Sequence, residues 1–248
     1  AWRDHLFNDF HDIITGTCIE PAEQDAFDRY GRSMEKCREL RLGAMVCLAN
    51  QKDASHGIPL LVMNTNPGLT QVPVEVECML AYRPKWSGTW HLSLHQADGS
   101  QILSQEEQPE AQLPFNGWRR KLSFMAELPA VGAAQYYLKV EKGIKKYKKA
   151  DPAFKFNLNR KTGFIEELET KNGDQCLSSP LLQPLVIDDR ADSWGTGEKV
   201  YRKITGKFRL EPGSFGVKEK GPIRTIFRAA YFFNHSKIIN NIISYSQW

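Results

Sequence analysis

The sequence lacks the features that mark secreted, membrane and nucleic-acid-binding proteins. Its 248 residues include only five cysteines, an odd number with no Cys-x-x-Cys pair, which argues against a disulfide scaffold and a thiolate zinc site. Purely aliphatic runs such as Leu60–Met63 are far shorter than the roughly 20 residues of a membrane-spanning helix. The net charge of +4 is too small to indicate a nucleic acid or a membrane surface as partner. We therefore expect a cytoplasmic, soluble protein with reduced thiols.

Several familiar catalytic motifs are also missing. The sequence has no G-x-S-x-G elbow, no P-loop, no H-E-x-x-H and no dinucleotide fingerprint. Its six histidines are scattered. His91 and His95 stand four residues apart on a predicted strand, so they share a face but are too far apart for an easy metal clamp. We expect both on an exposed strand face.

The first fifty residues have a helical pattern. They predict one helix over residues 2–14, a break at Thr15–Thr17, and a second helix from about Pro21 to Ala49. Apolar residues of the second helix, from Ala26 to Leu48, recur in steps of three and four and form one stripe. Such a stripe is typical of a bundle helix and needs partner helices to cover it.

After the helical region the period changes to two. Alternating apolar residues predict a half-buried strand over Val72–Leu80. Asp98-Gly99 predicts a hairpin turn between strands over residues 90–95 and 101–104, and Asn159–Thr162 predicts another tight turn. Further strands are predicted over residues 118–127, 135–140, 154–158, 163–168, 200–210 and 223–233. With no helices between these strands, the fold class is mainly β, an antiparallel β-sandwich preceded by a helical-bundle segment.

The motif with the most chemical content is His11-Asp12-Ile13-Ile14-Thr15-Gly16-Thr17, at the end of the first predicted helix. His is the commonest metal ligand, and Asp binds a metal or a sugar hydroxyl. By residue type alone, His-Asp pairs at helix ends are usually caps or surface groups. However, H-D-x-x-x-G-T between bundle helices, followed by a β domain, resembles glycoside hydrolase family 38, the metal-dependent retaining α-mannosidases.

Other stretches support this resemblance in the same order along the chain. Residues 58–64 with Pro67 resemble the start of the family's C-terminal β region. Phe124 with residues 128–132 and 136–138 resembles a recurrent stretch there, as do residues 189–195 with Ser193-Trp194-Gly195. The resemblance implies that residues 1–56 are the end of the middle helical domain and that residues 57–248 belong to an incomplete C-terminal β-sandwich region. The absence of an initiator Met and a strand-like run ending at Trp248 favour a piece of a longer polypeptide.

The resemblance also implies specific roles. His11 would be one ligand of a single active-site zinc or other divalent metal, and Asp12 would contact the bound sugar of an α-mannoside or mannose-containing oligosaccharide. The nucleophile, the acid/base carboxyl and the other metal ligands would lie on an N-terminal catalytic barrel outside this chain, so no catalytic residue is expected here and the chain alone should be inactive. Some family members have a second His where this sequence has Phe10, so no role of that His is transferred.

A second hypothesis makes the β-sandwich a non-catalytic carbohydrate-binding or interaction module. It is based on the missing catalytic set and on tryptophans that could be exposed: Trp86, Trp90, Trp118 and Trp194. Asp188, Asp189, Asp192 and Trp194 would either bind a sugar or form a strand-connecting loop. The lysine-rich residues 142–149 would form either an anion-binding patch or a solvated linker. The sequence leaves a homo-oligomer open.

Overall fold

The computed structural model describes residues 1–50, 54–80, 89–110, 119–143, 152, 154–191 and 201–246. These residues form two compact units. The described residues within 1–52 and 186–205 form one unit, and those within 53–185 and 206–248 form the other. The division into domains at residues 56 and 57 stays a prediction.

Three helices form the N-terminal region: α1 (Trp2–Asn8), α2 (His11–Ile14) and α3 (Glu20–Ala49). The second predicted helix is confirmed as α3, with Pro21 in the first turn, where a missing N–H group is harmless. The prediction of one continuous helix over residues 2–14 is wrong. Phe10 has an extended conformation, with φ −59° and ψ 137°, and this separates α1 from α2. Neither Gly nor Pro marks the break in the sequence.

The helix α1 packs along the N-terminal half of α3. The fully buried Asn8 donates a hydrogen bond from Nδ2 to the carbonyl oxygen of Ala26 at 2.9 Å. Ser33 of α3 donates one to the carbonyl oxygen of Ala1, also at 2.9 Å. Beyond Ser33 the predicted apolar stripe is largely exposed, and Leu40 exposes 74% of its surface. Among the described residues, the C-terminal half of α3 therefore lacks the cover that its sequence pattern requires.

Fifteen strands lie in the described part of the chain. They are β1 (Ile58–Asn64), β2 (Thr70–Met79), β3 (Trp90–Gln96), β4 (Gln101–Ile102), β5 (Ser104–Glu107), β6 (Arg119–Leu128), β7 (Gly132–Lys142), β8 (Lys155–Leu158), β9 (Ile165–Glu169), β10 (Leu185–Ile187), β11 (Ile204–Lys207), β12 (Arg209–Leu210), β13 (Gly216–Lys220), β14 (Arg224–Phe233) and β15 (Ser236–Tyr245).

Two antiparallel sheets form a sandwich. One has the strand order β1-β7-β3-β4 and the other has the order β2-β6-β5. Leu92 and Leu94 of β3 and Leu138 of β7 pack with Leu122 and Phe124 of β6 in one buried core. Removal of this apolar surface from water is the main stabilising contribution. The predicted fold class, a mainly β antiparallel sandwich after a helical segment, is confirmed.

A further antiparallel sheet is built around β14. The strand β15 pairs with β14 along its whole length, and β12 and β13 pair with it as well. The strands β8 and β9 form a separate hairpin at the predicted tight turn, where Asn159 Oδ1 accepts a hydrogen bond from the backbone N–H of Lys161 at 2.8 Å.

Most predicted strands lie within a few residues of their expected positions, and the Asp98-Gly99 turn joins β3 to β4. The single strand predicted over residues 200–210 is divided at Phe208 into β11 and β12, and residue 200 lies outside the described residues. The sequence pattern does not predict β10 or β13. In the described part of the chain, no helix combines the length and the apolar character needed to cross a bilayer.

Candidate functional site

The His11-Asp12 pair occupies the single helical turn α2, which local hydrogen bonds hold in place. Thr15 Oγ1 donates a hydrogen bond to the carbonyl oxygen of His11 at 2.7 Å. The backbone N–H of Thr17 donates one to the carbonyl oxygen of Asp12 at 3.0 Å. Gly16 between them has φ +73°, a left-handed conformation that glycine adopts without steric cost. The Thr-Gly-Thr segment thus terminates α2 and fixes the backbone of both motif residues.

The two side chains are accessible and close together. His11 exposes 76% of its side chain and Asp12 exposes 42%, and His11 Nε2 lies 3.5 Å from Asp12 Oδ2. The ring of Phe10 lies against the imidazole, with ring centroids 4.3 Å apart. An exposed imidazole and carboxylate on one fixed turn can act together on a group that approaches from outside this unit.

The pair has the right chemistry for part of a metal site. An imidazole nitrogen and a carboxylate oxygen are both ligands that zinc accepts, and a catalytic zinc usually has three protein ligands. No group of three or more His, Cys, Asp or Glu side chains in the described residues is arranged to hold a metal ion. His11 and Asp12 therefore offer at most two of the three usual protein ligands.

Large apolar side chains surround this pair in sequence and are exposed. Phe10 and Ile14 flank it, and Leu6 and Phe7 lie on the preceding helix α1; all four expose about half or more of their surface. Exposed apolar groups concentrated in this way are typical of a surface that another protein body covers.

His91 and His95 differ from the prediction, because they do not lie on an exposed face. His95 is buried and His91 exposes only 15% of its side chain. Both Nε2 atoms approach the carboxylate of Glu141, at 3.4 Å from His91 and 3.6 Å from His95, while each Nδ1 lies 3.1 Å from a backbone carbonyl oxygen. The position of Glu141 on β7, directly opposite His91, brings the two imidazoles to one carboxylate.

Ser93 completes this group on β3. Its hydroxyl donates to Glu141 Oε1 at 2.6 Å and lies 2.9 Å from His95 Nε2. The Ser93 hydrogen bond lowers the pKa of Glu141 against the opposing effect of burial, and His91 and His95 add to the lowering. The cluster joins β3 to β7 and has the features of a structural network.

Asp188 and Asp189 favour the alternative of a strand-connecting loop over that of a sugar site. Asp188 accepts hydrogen bonds from Lys203 Nζ at 2.9 Å and Arg190 Nε at 3.0 Å, and Asp189 accepts one from the backbone N–H of Ala191. Hydrogen bonding by Lys203, with Arg190 nearby, lowers the pKa of Asp188. These carboxylates are engaged locally, while Asp192 and Trp194 lie outside the described residues.

The tryptophans expected as a sugar platform are only partly described. Trp90 is half-buried against the sandwich core, and the guanidinium of Arg120 covers its ring at 4.0 Å, so the expectation of an exposed Trp90 is wrong. Trp86 and Trp118 lie outside the described residues, as do residues 144–149 of the lysine-rich segment.

Two comparisons with known proteins give matches, one for the N-terminal residues and one for the fold of most of the chain. Residues 1–48 match the family model described as the alpha mannosidase middle domain. The fold matches a crystal structure of a protein in glycosyl hydrolase family 38 from Enterococcus faecalis, with a TM-score of 0.64 and 15% sequence identity. The match covers 93% of this chain and 31% of that one. No curated protein matches the sequence.

Residues 1–48 are thus similar to an α-mannosidase domain, and the chain has the fold of part of a glycoside hydrolase family 38 protein. The resemblance inferred from the sequence is thereby confirmed: residues 1–48 match an α-mannosidase domain, and the remainder is similar in fold to the family 38 protein. This chain spans about a third of the length of that protein.

Two stretches that carry the family 38 resemblance are in direct contact. Asn64 Nδ2 donates to the carbonyl oxygens of Pro129 and Gly68, both at 2.9 Å, and Asn64 Oδ1 accepts from the backbone N–H of Asn66 at 2.9 Å. One carboxamide therefore ties the end of β1 to the turn between β6 and β7.

The β unit contains a buried ion cluster that the sequence pattern does not predict. Arg224 of β14, with 1% of its side chain exposed, makes two hydrogen bonds to Glu107 of β5, at 2.6 and 2.7 Å, and one to Glu75 of β2. Burial by itself lowers the pKa of Arg224, but the hydrogen bonds to Glu107, Glu75 and Tyr245 outweigh it, so the pKa is raised. The Arg224 hydrogen bond lowers the pKa of Glu75 to about 2. Glu107 and Arg224 are 117 residues apart, so no local pattern indicates their contact.

Proposed function

We propose that this chain is part of a metal-dependent retaining α-mannosidase that hydrolyses terminal α-mannosyl linkages. The observation that carries the proposal is the location of the exposed His11-Asp12 turn within the 48 residues that match the alpha mannosidase middle domain. The substrate would be an α-mannoside or a mannose-containing oligosaccharide.

His11 would donate an imidazole nitrogen to zinc or another divalent metal, and Asp12 would hydrogen-bond a hydroxyl of the bound mannose. The hydrogen bonds of Thr15 and Thr17 to α2 would keep both side chains in register. When bound, the metal would orient vicinal sugar hydroxyls and favour ring distortion.

The remaining groups would come from an N-terminal catalytic barrel of the same protein. A retaining glycosidase needs two carboxyl groups about 5 Å apart, whereas the motif supplies one carboxylate beside one imidazole. The exposed apolar side chains around His11, such as Phe10 and Ile14, are suited to contact such a domain. This chain alone would therefore be inactive. The free thiols of all five cysteines support a reducing compartment, and we propose the cytoplasm.

The test uses the whole protein that contains this chain. We expect His11→Ala to remove most of the bound metal, measured by mass spectrometry of the purified enzyme, and to lower turnover of an aryl α-mannoside by at least about 100-fold, because loss of a ligand should exceed the 10–100-fold effect of its outer-shell partners. His235→Ala is the matched control, since His235 is also an exposed histidine, in the β14–β15 turn.

Unchanged metal content in His11→Ala would refute the ligand role. If the unmodified whole protein released no mannose from any α-mannoside while His11→Ala lost its metal ion, the proposed activity would be wrong and the ligand role would stand.

A further inference from the structure

A cavity of about 600 Å³ lies in the unit that holds the sandwich. It is lined by the β3–β4 turn, the β4–β5 connection and parts of β2, β6 and β7. Its size falls within the range of roughly 300–1,000 Å³ that is usual for small-molecule sites. None of the functional roles proposed above uses this cavity.

The strand arrangement explains why the cavity exists. The strand β5 pairs with β6 from Glu107 only as far as Ser104, which lies opposite Phe124. Beyond that point the chain at Leu103 departs toward β4 in the other sheet, and β5 no longer covers Met125 and Glu127 of β6. The carbonyl oxygen of Glu127 there accepts a hydrogen bond from the buried Tyr136 hydroxyl at 3.4 Å.

The lining combines apolar and polar parts. Tyr136 and Ile223 are almost completely buried, whereas Gln71, Gln96 and Glu127 are exposed. Within the described part of the chain, the side chains of these three polar residues have no hydrogen-bond or ion-pair partner. Carboxamides both donate and accept hydrogen bonds, and a carboxylate accepts up to four. The cavity thus offers apolar surface together with free donors and acceptors.

The charge of the lining is negative. Asp98 accepts both Ser100 hydrogen bonds at Oδ1, at 2.6 and 2.8 Å, which leaves its second oxygen available, and the Ser100 hydroxyl lowers the pKa of Asp98. With Glu127 this gives two carboxylates, and none of the described lining residues is Lys, Arg or His. Such a lining repels phosphate and carboxylate groups.

We infer that this cavity binds a neutral sugar, of about one or two pyranose rings, through Gln71, Gln96, Asp98 and Glu127. A pyranose has a ring of hydroxyls that both donate and accept, and C–H faces that pack on apolar side chains. The hydroxyls can pair with the carboxamides and carboxylates of the cavity, and the C–H faces can pack on its apolar surface. The site shares no residue with the His11-Asp12 motif and requires neither metal nor catalysis.

The experiment is a titration of the 248-residue chain with methyl α-mannopyranoside, followed by calorimetry and by the side-chain amide NMR signals of Gln71 and Gln96. We expect saturable binding at millimolar concentrations and shifts of both amide signals. Gln96→Ala/Glu127→Ala should weaken binding by at least about tenfold, because the double variant removes two hydrogen-bonding side chains from the site. Mannose 6-phosphate should bind more weakly than the neutral sugar.

Glu167→Ala is the control, because Glu167 is an exposed carboxylate on β9 of the same unit; its affinity should equal that of the unmodified chain. His11→Ala should also bind normally, which distinguishes this site from the proposed metal site. Absence of saturable binding, or equal affinity in Gln96→Ala/Glu127→Ala, would overturn the inference. Saturation by methylammonium without any response to the sugar would overturn the sugar class.

Discussion

Arg224 shows how one side chain holds two sheets of the β unit together. Its guanidinium bridges Glu107 of β5 and Glu75 of β2, and Gln105 Oε1 accepts from the backbone N–H groups of Ile223 and Arg224 at 3.0 Å each. Two parallel hydrogen bonds between Arg and a carboxylate are stronger and more directional than neutral ones. The cluster therefore fixes the orientation of β14 relative to β5.

Loss of the arginine should be severely destabilising. In Arg224→Ala the buried Glu107 would lose its cationic partner, and breaking a buried pair in this way typically costs about 3–5 kcal/mol. Arg119→Ala is the control, because the Arg119–Glu77 pair is on the surface, where pairs contribute at most about 1 kcal/mol. Urea unfolding of the two variants measures the difference; equal losses of stability would contradict the role of the cluster.

The stability of the β unit should also fall in acid through Glu75. Its pKa is lowered from 4.5 to about 2, chiefly by the Arg224 hydrogen bond. A carboxyl with a depressed folded-state pKa stabilises the fold above its unfolded value, and this contribution disappears as the pH falls through the folded value. The Tm difference between the unmodified chain and Glu75→Gln should therefore be largest near pH 7 and shrink from about pH 4.5 down to about 2. A difference that is independent of pH would contradict this.

At the scale of single elements, α2 depends on the backbone of Gly16. The break at Thr15–Thr17 was predictable because glycine favours helix ends. The break at Asp9 and Phe10 was not, since neither glycine nor proline marks it; Asn8 of α1 is held on α3 by the Ala26 carbonyl.

Two glycine substitutions test the role of the left-handed Gly16, because Gly31 lies within a regular helix. Gly16→Ala would place a side chain at φ +73° with no atom nearby, so the loss of about 1 kcal/mol comes from backbone strain alone. Gly31→Ala in the middle of α3 also meets no atom within 4 Å and should stabilise the helix by about 1 kcal/mol. Opposite shifts of the helical unfolding transition, followed by circular dichroism at 222 nm, are expected; a stabilised Gly16→Ala would refute the left-handed role.

The strands were predictable where one sheet face is buried. Along β2 and β6 the alternation of apolar and polar residues gives both the strand and its inward face. It does not give partners. The prediction that His91 and His95 share a face is right and the prediction that this face is exposed is wrong, because both imidazoles approach Glu141 on the neighbouring strand. The same limit applies to the Arg224 cluster and the cavity, whose residues are far apart in sequence. Only the His11-Asp12 motif, which is local, was visible in advance.

At the scale of the whole molecule, the described residues include an uncovered apolar face on α3. Phe27, Met34 and Leu40 are each more than half exposed, although their spacing is that of a buried stripe. Contiguous apolar patches of this kind are uncommon on free-standing proteins.

This face should bind hydrophobic probes. The isolated chain should enhance the fluorescence of anilinonaphthalene sulfonate, and Leu40→Lys should reduce the enhancement because it places a charge within the stripe. Gln24→Lys adds the same charge at another exposed position of α3 and should leave the signal unchanged. An equal reduction by both variants would show that charge alone, and not the stripe, controls dye binding.

The distance in sequence between Glu107 and Arg224 sets an order of events during synthesis. A ribosome adds about 5–20 residues per second, so the 117 residues between them take roughly 6 to 23 seconds to make. Throughout this interval β5 already carries Glu107, whereas its cationic partner Arg224 has not been translated. The contact that joins β5 to β14 therefore forms only after β14 has left the ribosome.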